Sequence, residues 1–485
     1  MSRIVVLGAG VAGHTAASFL RAWLGRQDSV VVVSPKPTYN WIPSNIWVGV
    51  GLMQPADVTF PLAPVYERHG IEFRQARAVA LHPEGDAEDG TPYVVVESTR
   101  PGHEGEREAI RYDFLVNATG PRLNFGATPG LGPDAGHSLS VCTEVHAHET
   151  AGHLDRLVEA MRKGDRKRFL VGTGHGACTC EGAAFEYIVN LEFELRQRGV
   201  RDKADIWWLS NEYELGDFGM GGMHLSQGGY VTPSRIFTES LFAERGLHWI
   251  RRAHVRQVEA GRAHYETLDG EQRTFEFDFA MLLPPFSGVG LQAVDRAGTD
   301  ITSCVFQPNG FMKVDAQYDA RPFEEWAASD WPQTYQSPAY ANLFAAGIAF
   351  APPHAISRPY QAPSGAPIAP APPRTGMPSA TIGKAVARSI VDMLGGAPGP
   401  TQRASMAEMG AACVASAGAS LVSGTAASMT VFPIVPDYER YPEYGRDLRL
   451  TFGEIGLAGH WIKVLLHHLF LHKARLRPGW RLIPE

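Results

Sequence analysis

The sequence is poor in cysteine, with five cysteines in 485 residues. A chain of this length can bury a large core without covalent links, so five cysteines do not indicate the disulfide framework of a small secreted protein. Any cysteines that pair are therefore expected to be catalytic or redox-active. Their positions then matter more than their number: they are Cys142, Cys178, Cys180, Cys304 and Cys413.

Positive charge is also scarce. The chain has 44 Lys and Arg residues and 51 Asp and Glu residues, which gives a net charge of -7. Nucleic-acid binding needs a basic footprint that neutralises phosphates, so we expect no nucleic-acid partner. The amino terminus lacks the long apolar region and cleavage site of a signal peptide, and the fold is expected to begin at once. The length favours two or three soluble domains.

The clearest motif is "RIVVLGAGVAGHTAASFL" followed by "DSVVVVSP". An apolar strand leads into Gly8, Gly10 and Gly13, then an alanine-rich helix and a second strand, which predicts a βαβ unit that binds a dinucleotide. The acidic residue that usually binds the ribose is replaced by "SPKP". Ser34 or Lys36 is therefore expected to handle the ribose or the adenine end.

A second such unit is predicted from "RKRFLVGTGHGACTC", the helical pattern that follows it and the strand "ADIWWLS". Its third glycine position is Ala177, and Cys178 and Cys180 stand where the helix begins. A pyrophosphate needs bare backbone at that point, so the pattern favours thiol chemistry over NAD(P)H binding. The helix dipole would favour a thiolate at Cys180. Cys178 is interpreted as structural, the alternative being that it intercepts a persulfide, and Cys304 is interpreted as a packing residue.

A third segment has a strand, a proline-rich loop from about Pro352 to Pro373, and a helix. We predict that the loop is an ordered arm anchored by Ile356, Tyr360 and Ile368, the alternative being a disordered linker. Overall the chain is predicted to be α/β, with two tandem Rossmann-like domains and a C-terminal membrane-associating region. The expected parts are 1–130 and 301–400 for the first domain, 131–300 for the second, and 401–485 for the terminal region.

The terminal stretch "FGEIGLAGHWIKVLLHHLFLHKARLRPGWRLIPE" is too short and too polar to span a bilayer. It is predicted to form a helix that lies in the membrane interface, with basic residues facing anionic lipid; an oligomer contact or a capping helix is the alternative. The apolar positions are Ile455, Trp461, Ile462, Leu465, Leu466, Leu469 and Phe470, and the basic ones are Lys473, Arg475 and Arg477.

Taken together, these segments resemble the sulfide:quinone oxidoreductases, a branch of the pyridine nucleotide-disulfide oxidoreductases. The resemblance covers nearly the whole chain and rests on "YNWIPSNIWVGVG", "SVCTEVHAHE", "CEGAAFEY", "PPRTGMPS", "ACVASAG" and "GLAGHWIK". It implies one FAD, no metal, and apolar Ile348 after the "AAG" turn. The implied cofactor residues are Gly8, Gly10, Gly13, Ser34, Lys36, Pro43, Ser44, Asn45, Thr119, Gly120, Gly347, Thr375 and Gly376.

The resemblance also implies a catalytic trio of Cys142, Cys180 and Cys413. Cys180 and Cys413 would form a redox pair beside the flavin, opened by hydrosulfide to leave a persulfide and a thiolate. Cys142 would help to release sulfur or lie near the flavin edge. The third position has two registers, Ser405 or Cys413, and we choose Cys413 because serine cannot form a sulfur bridge.

Two acid-base residues are implied as well, Glu186 and His146; the alternatives are a surface glutamate and a structural histidine. Asp217 stands where many relatives have histidine, so a second histidine-based proton route is in doubt, although His224 lies nearby in the sequence. The implied quinone and membrane contacts are Trp461, Lys463 and Phe470.

These residues predict FAD-dependent oxidation of sulfide to sulfane sulfur or polysulfide, with electrons passed to ubiquinone or menaquinone. We expect a homo-oligomer bound peripherally to the cell membrane. The main rival is a type II NADH:quinone dehydrogenase, which needs an intact second glycine loop and no cysteine trio. A non-catalytic sulfur-binding flavoprotein is the other rival, and retention of all three cysteines argues against it.

Overall fold

The computed structural model describes residues 1–134, 136–178, 181–373, 375–419 and 424–485. The predicted redox residue Cys180 lies outside these ranges. Within them the α-helices are α1 Val11–Trp23, α2 Asn45–Gly49, α3 Pro55–Val58, α4 Leu62–His69, α5 Glu144–Arg162, α6 Glu181–Gln197, α7 Ser234–Glu244, α8 Thr302–Val305, α9 Gly376–Leu394 and α10 Leu457–Ala474.

The strands of the described ranges are β1 Arg3–Leu7, β2 Ser29–Ser34, β3 Thr38–Asn40, β4 Thr59–Pro61, β5 Glu72–His82, β6 Tyr93–Ser98, β7 Arg107–Arg111, β8 Phe114–Asn117, β9 Arg122–Leu123, β10 Lys167–Thr173, β11 Ala204–Leu209, β12 His224–Gln227, β13 Tyr230–Pro233, β14 His248–Ile250, β15 Ala253–Glu259, β16 Arg262–Thr267, β17 Gln272–Glu276, β18 Phe279–Leu283, β19 Phe286–Ser287, β20 Gln292–Ala293, β21 Leu343–Ala345, β22 Tyr360–Gln361, β23 Pro367–Ile368, β24 Ala411–Ala417, β25 Thr425–Val431 and β26 Phe452–Gly456.

The first sheet has the order β21-β8-β1-β2-β5-β6-β7, with β20 paired to β5. Its central strands are parallel, with Val5 opposite Val31, and they are buried because helices cover both faces. Helix α9 crosses α1 closely: a Cβ on Gly383 would lie 2.4 Å from the carbonyl oxygen of Ala12. The first predicted βαβ unit is therefore present.

The second sheet, β14-β11-β10-β18, is parallel throughout, and α6 connects β10 to β11. This arrangement confirms the second Rossmann-like unit. A small antiparallel sheet, β15-β16-β17, is inserted in the chain between β14 and β18 of the second sheet. The predicted α/β class with two Rossmann-like units is thus correct, whereas the membrane-associating role of the terminal region stays a prediction.

A third sheet joins distant parts of the chain in the order β13-β12-β26-β25-β24. Its hairpin β12–β13 comes from the middle of the chain, whereas β24 to β26 come from the terminal region. The expected domain boundaries at 130, 300 and 400 stay predictions. Strand β20, which lies in the expected second domain, pairs with β5 of the first sheet. Ile455 was expected in the terminal helix, but it belongs to β26, because the pairing of Ala427 with Ile455 continues the sheet up to α10.

The proline-rich segment is an ordered arm. It carries the short hairpin β22–β23, Ile356 and Ile368 are buried, and the ring of Tyr360 stacks on Tyr213 at 4.6 Å. The three predicted anchors therefore hold it, and the disordered alternative is wrong for its described residues. No helix in the described ranges combines the length and the apolarity needed to cross a bilayer.

Candidate functional site

The first glycine loop has two glycines required by packing and one that faces open space. Gly8 has φ of +101°, and a Cβ on it would lie 2.1 Å from the carbonyl oxygen of Ala118. A Cβ on Gly13 would lie 2.1 Å from the Gly8 carbonyl oxygen, whereas one on Gly10 would meet no atom within 4 Å. The open space at Gly10, at the N-terminal end of α1, fits the approach of a pyrophosphate.

Further predicted cofactor residues converge on this loop. A Cβ on Gly347 would lie 2.6 Å from Ala12 in the first turn of α1. Gly120 and Gly376 each face open space, as Gly10 does, and Thr375 is the N-cap of α9 without a side-chain capping bond. These residues therefore leave room for a large ligand at the N-terminal ends of α1 and α9.

The other predicted cofactor residues lie after β2 and β3. Ser34 ends β2 and donates a hydrogen bond of 3.2 Å to the carbonyl of Lys36. Pro43 and Ser44 belong to a short 3-10 turn, and Asn45 begins α2. The Oγ atom of buried Ser44 lies 2.8 Å from Nδ1 of His467 in α10, a long-range contact that sequence reasoning missed.

The second glycine loop is covered by the proline-rich arm. A Cβ on Gly176 would lie 1.7 Å from the carbonyl oxygen of Pro367. The amide N–H groups of Ala369 and Ala371 donate to the carbonyls of Gly176 and Cys178 at 2.7 and 2.9 Å. The arm thus occupies the space beside this loop that a nucleotide would need.

Cys413 lies on β24 beside the first turn of α6. A Cβ on Gly182 would lie 3.3 Å from Sγ of Cys413. The strand is held by Ser416, whose carbonyl accepts hydrogen bonds from Asn190 of α6 at 2.7 Å and from the Trp47 indole at 3.3 Å. The structure therefore brings residue 413 next to the residues that follow Cys180 in the chain.

The other cysteines have different surroundings. Cys178 is buried, and its thiol donates to the carbonyl of Leu283 at 2.9 Å. Burial and, after it, the carboxyl group of Glu181 raise the pKa of this thiol well above the ordinary range. Burial raises the pKa of Cys142, just before α5, to about 11, and Cys304 is exposed. Cys178 accordingly has the environment of a structural thiol.

His146 lies in the first turn of α5, where Thr143 caps its backbone N–H at 3.1 Å. Its ring packs edge-on against Phe125, and Nε2 lies 3.7 Å from the carboxylate of Asp134. Nδ1 is buried and has no hydrogen-bond partner among the described residues. The ring is therefore held in place by Phe125 and Asp134.

Glu186 forms a nearly buried ion pair with Lys463 of α10, at 3.1 Å. Burial raises the pKa of Glu186, and the charge of Lys463 opposes that rise. The second carboxyl oxygen has no hydrogen-bond partner among the described residues. The sequence named both residues but not their pairing, since 277 positions separate them.

Three carboxyl groups, those of Glu181, Glu212 and Asp217, are buried around the start of α6. Asp217 accepts hydrogen bonds from the Gly219 amide N–H at 2.9 Å and from Ser357. Burial raises the pKa of all three carboxyl groups, and that of Glu212 rises to about 7. At Glu181 and Glu212, repulsion from the neighbouring carboxylates raises the pKa further. Sequence reasoning missed this cluster, because "CEG" and "NEYELGD" carry no apolar pattern that marks their acids as buried.

Many relatives are expected to have a histidine at position 217, and His224 could replace it. His224 lies on β12, and its ring centroid is 4.7 Å from that of Tyr444. The buried partners of Asp217 are instead Ser357 and the cation Arg446. Position 217 therefore contributes a carboxyl group to the cluster.

Helix α10 turns one face outward and buries the other. Trp461 is exposed, whereas Phe470 is half-buried and stacks on Trp41 with ring centroids 5.0 Å apart. Lys473 was expected to face lipid, but it is buried and paired with Glu485 at 2.7 Å, because the chain folds back after the helix. Arg477 remains exposed.

Comparisons with known proteins show which proteins this chain is similar to. The family model for pyridine nucleotide-disulphide oxidoreductases matches residues 2–191. The sulfide-quinone reductase of Aquifex aeolicus (strain VF5) is 28% identical over 472 residues, which cover 97% of this chain and 91% of that protein. The mitochondrial sulfide:quinone oxidoreductase of Dictyostelium discoideum is 23% identical over 290 residues, 59% of this chain and 56% of that protein.

The X-ray structure of the sulfide:quinone oxidoreductase from Aquifex aeolicus superposes with a TM-score of 0.75 at 27% identity. The match covers 98% of this chain and 92% of that chain. Fold and sequence therefore show similarity to the same enzyme. The chain is thus a homologue of the sulfide-quinone reductases, and its residues 2–191 match the model of the pyridine nucleotide-disulphide oxidoreductases.

Proposed function

We propose that this protein oxidises sulfide to sulfane sulfur or polysulfide and passes the electrons through FAD to a membrane quinone, ubiquinone or menaquinone. The supporting observation is the position of Cys413, whose Sγ lies beside Gly182 in the first turn of α6. Cys180 is two residues before Gly182 in the chain. A bridge between Cys180 and Cys413, direct or through extra sulfur, is consistent with that proximity.

Hydrosulfide attacks one sulfur of this bridge. A new S–S bond forms between the hydrosulfide and one cysteine, the cysteine–cysteine bond breaks, and its electron pair leaves on the other cysteine as a thiolate. The hydrosulfide sulfur is oxidised and the leaving cysteine sulfur is reduced. The persulfide proton goes to the carboxylate of Glu186, which Lys463 contacts at 3.1 Å.

When bound, FAD would supply the oxidant: the cysteine thiolate would bond to the persulfide sulfur and re-form the bridge with one more sulfur atom, and the two electrons released would pass through the flavin to a quinone. The residues that would hold it are Gly10 and the first turn of α1 for the pyrophosphate, Ser34 or Lys36 for the ribose or adenine end, and Gly120, Thr375 and Gly376 around the open space. His146 and Cys142 lie at the start of α5 and would assist the release of sulfur.

The alternative of a type II NADH:quinone dehydrogenase is less well supported. NADH would need access to the loop at Gly176, and the arm lies against that loop through Pro367 and Ala369. A non-catalytic flavoprotein would not need a cysteine beside α6 or an ion pair at Glu186.

The test is anaerobic mixing of the purified protein with sulfide and, separately, with NADH, while the flavin absorbance is followed. We expect sulfide to bleach the flavin and NADH to leave it oxidised. Cys413→Ser should abolish bleaching by sulfide with FAD still bound, whereas the matched control Cys304→Ser, at an exposed cysteine, should behave as wild type. Rapid bleaching by NADH alone would overturn the proposal.

A further inference from the structure

A basic cavity of about 530 Å³ lies between the end of α4 and the chain that follows α10. Three arginines line it, Arg68 from α4 and Arg477 and Arg481 from the C-terminal segment, and its described lining contains no Asp or Glu. The whole chain has a net charge of -7. The positive charge here is therefore a local concentration and not a general property of the surface.

The segment that carries two of these arginines is fixed in place. Trp480 is buried, with its ring centroid 4.9 Å from that of Phe19 in α1. Lys473 pairs with Glu485 at 2.7 Å and donates to the carbonyl of Ile483 at 2.6 Å. The backbone that carries Arg477 and Arg481 is therefore preorganised, whereas their exposed side chains become ordered on binding.

The cationic groups have unused hydrogen-bonding capacity. Among the described residues, the side chains of Arg68, Arg477 and Arg481 form no salt bridge, and the guanidinium of Arg481 lies 5.5 Å from the centre of the Trp480 ring. His69, also in the lining, has a buried Nε2 without a hydrogen-bond partner in the described part of the chain. Burial lowers the pKa of His69, and the charges of Arg68 and Arg481 lower it further.

We propose that this cavity binds a phosphate group, and that the source is the headgroup of an anionic phospholipid. Guanidinium groups bind phosphate through paired hydrogen bonds, and basic pockets at a membrane surface bind anionic headgroups. Leu476, Pro478 and Trp480 form apolar walls that fit the glycerol and the first acyl carbons. Leu482, close by in the chain, is 87% exposed and is available to enter the interface.

This inference names the lipid class for the membrane association expected of the terminal region. It does not depend on sulfide oxidation, because no redox cysteine lines the cavity. Separate measurements therefore test the two proposals. Flavin reduction by sulfide tests the proposed function, and lipid binding tests the phosphate site in the cavity.

The first test is flotation of the full-length holoenzyme with vesicles of phosphatidylcholine alone or mixed with phosphatidylglycerol. We expect tighter binding to the anionic vesicles. Arg477→Gln with Arg481→Gln should weaken that binding roughly thirtyfold, since each basic residue near an anionic surface contributes about fivefold. Arg100→Gln, at an exposed arginine outside the cavity, is the matched control and should bind as wild type.

The second test is NMR titration of His69 with and without inorganic phosphate. A bound anion should raise the pKa of His69 in the wild type and in Arg100→Gln but not in the double variant. A phosphate effect without preference for anionic vesicles would support the anion site and overturn the lipid source. No effect of phosphate and no vesicle preference, or equal losses in the Arg100→Gln control, would overturn the proposal entirely.

Discussion

Lys463 Nζ lies 3.1 Å from Glu186 Oε2, and both side chains are nearly buried. Lys463 belongs to α10 and Glu186 to α6, so a single ion pair connects the C-terminal helix to the helix that follows the cysteine loop. A buried carboxylate beside a cation can accept a proton and remain fixed in position. The pair therefore links the region expected at the membrane to the region where we propose sulfur chemistry.

Lys463→Met should lower the free energy of unfolding by about 3 kcal/mol, because it leaves a buried carboxylate without its cation. The pKa of Glu186 should rise in this variant, since the opposing charge is gone. Urea denaturation measures the stability. Adding Glu186→Gln should restore most of the loss; two losses that simply add would show that the residues do not interact energetically.

The buried carboxyl cluster should make stability depend on pH. The pKa of Glu212 is about 7 in the folded protein, above its ordinary value, so the folded state binds more protons than the unfolded state between about pH 4.5 and 7. This contribution to stability is present below that window and is lost as the pH rises through 7. The pKa of Glu181 is raised in the same direction.

Glu212→Gln isolates this effect, because the buried or half-buried histidines titrate in the same way in the wild type and in the variant. His14, His175 and His467 have pKa values lowered by burial to about 4, and their contribution changes in the opposite direction below about pH 6.5. Denaturation at pH 5, 6, 7 and 8 should show the variant gaining stability relative to wild type as the pH rises. A constant difference across this range would contradict the shifted pKa of Glu212.

Two glycines of the first loop should respond differently to alanine. Gly13→Ala should disrupt folding, because its Cβ would lie 2.1 Å from a carbonyl oxygen. Gly10→Ala should fold normally, since its Cβ meets open space, but it should lose FAD if that space holds the pyrophosphate. Circular dichroism and the flavin released on denaturation measure the two properties. Full FAD content in Gly10→Ala would place the cofactor elsewhere.

The outer face of α10 is expected to contact the membrane. Trp461, Ile462 and Leu465 are each about half exposed, so their replacement by Ser should cost little stability. We expect the triple variant to move from the membrane to the soluble fraction while sulfide still reduces its flavin. Deleting the helix is a less specific test, because its other face is buried.

A matched control for this experiment is Val289→Ser, at an exposed apolar residue of the loop before β20. It removes exposed apolar surface without touching α10. Equal membrane binding by the triple variant, the control and wild type would show that the membrane contact lies elsewhere on the protein.

Local sequence patterns were sufficient for the two Rossmann-like units. The runs that form β1 and β10 are apolar because parallel strands are covered on both faces, and the glycine spacing around Gly8 follows from a tight turn. The same reasoning predicted the ordered arm from its anchors Ile356 and Ile368. The quoted motifs also pointed to the sulfide-quinone reductases, to one of which the chain is similar over 97% of its length.

The tertiary structure alone decided the contacts between residues far apart in the chain. Periodicity cannot show that Cys413 lies beside Gly182, that Lys463 pairs with Glu186, or that Lys473 turns inward to Glu485. Nor can a local pattern show that the fold buries Glu181. The physical reason is that burial and pairing depend on which surfaces the fold brings together, whereas a local pattern records only the neighbours along one helix or strand.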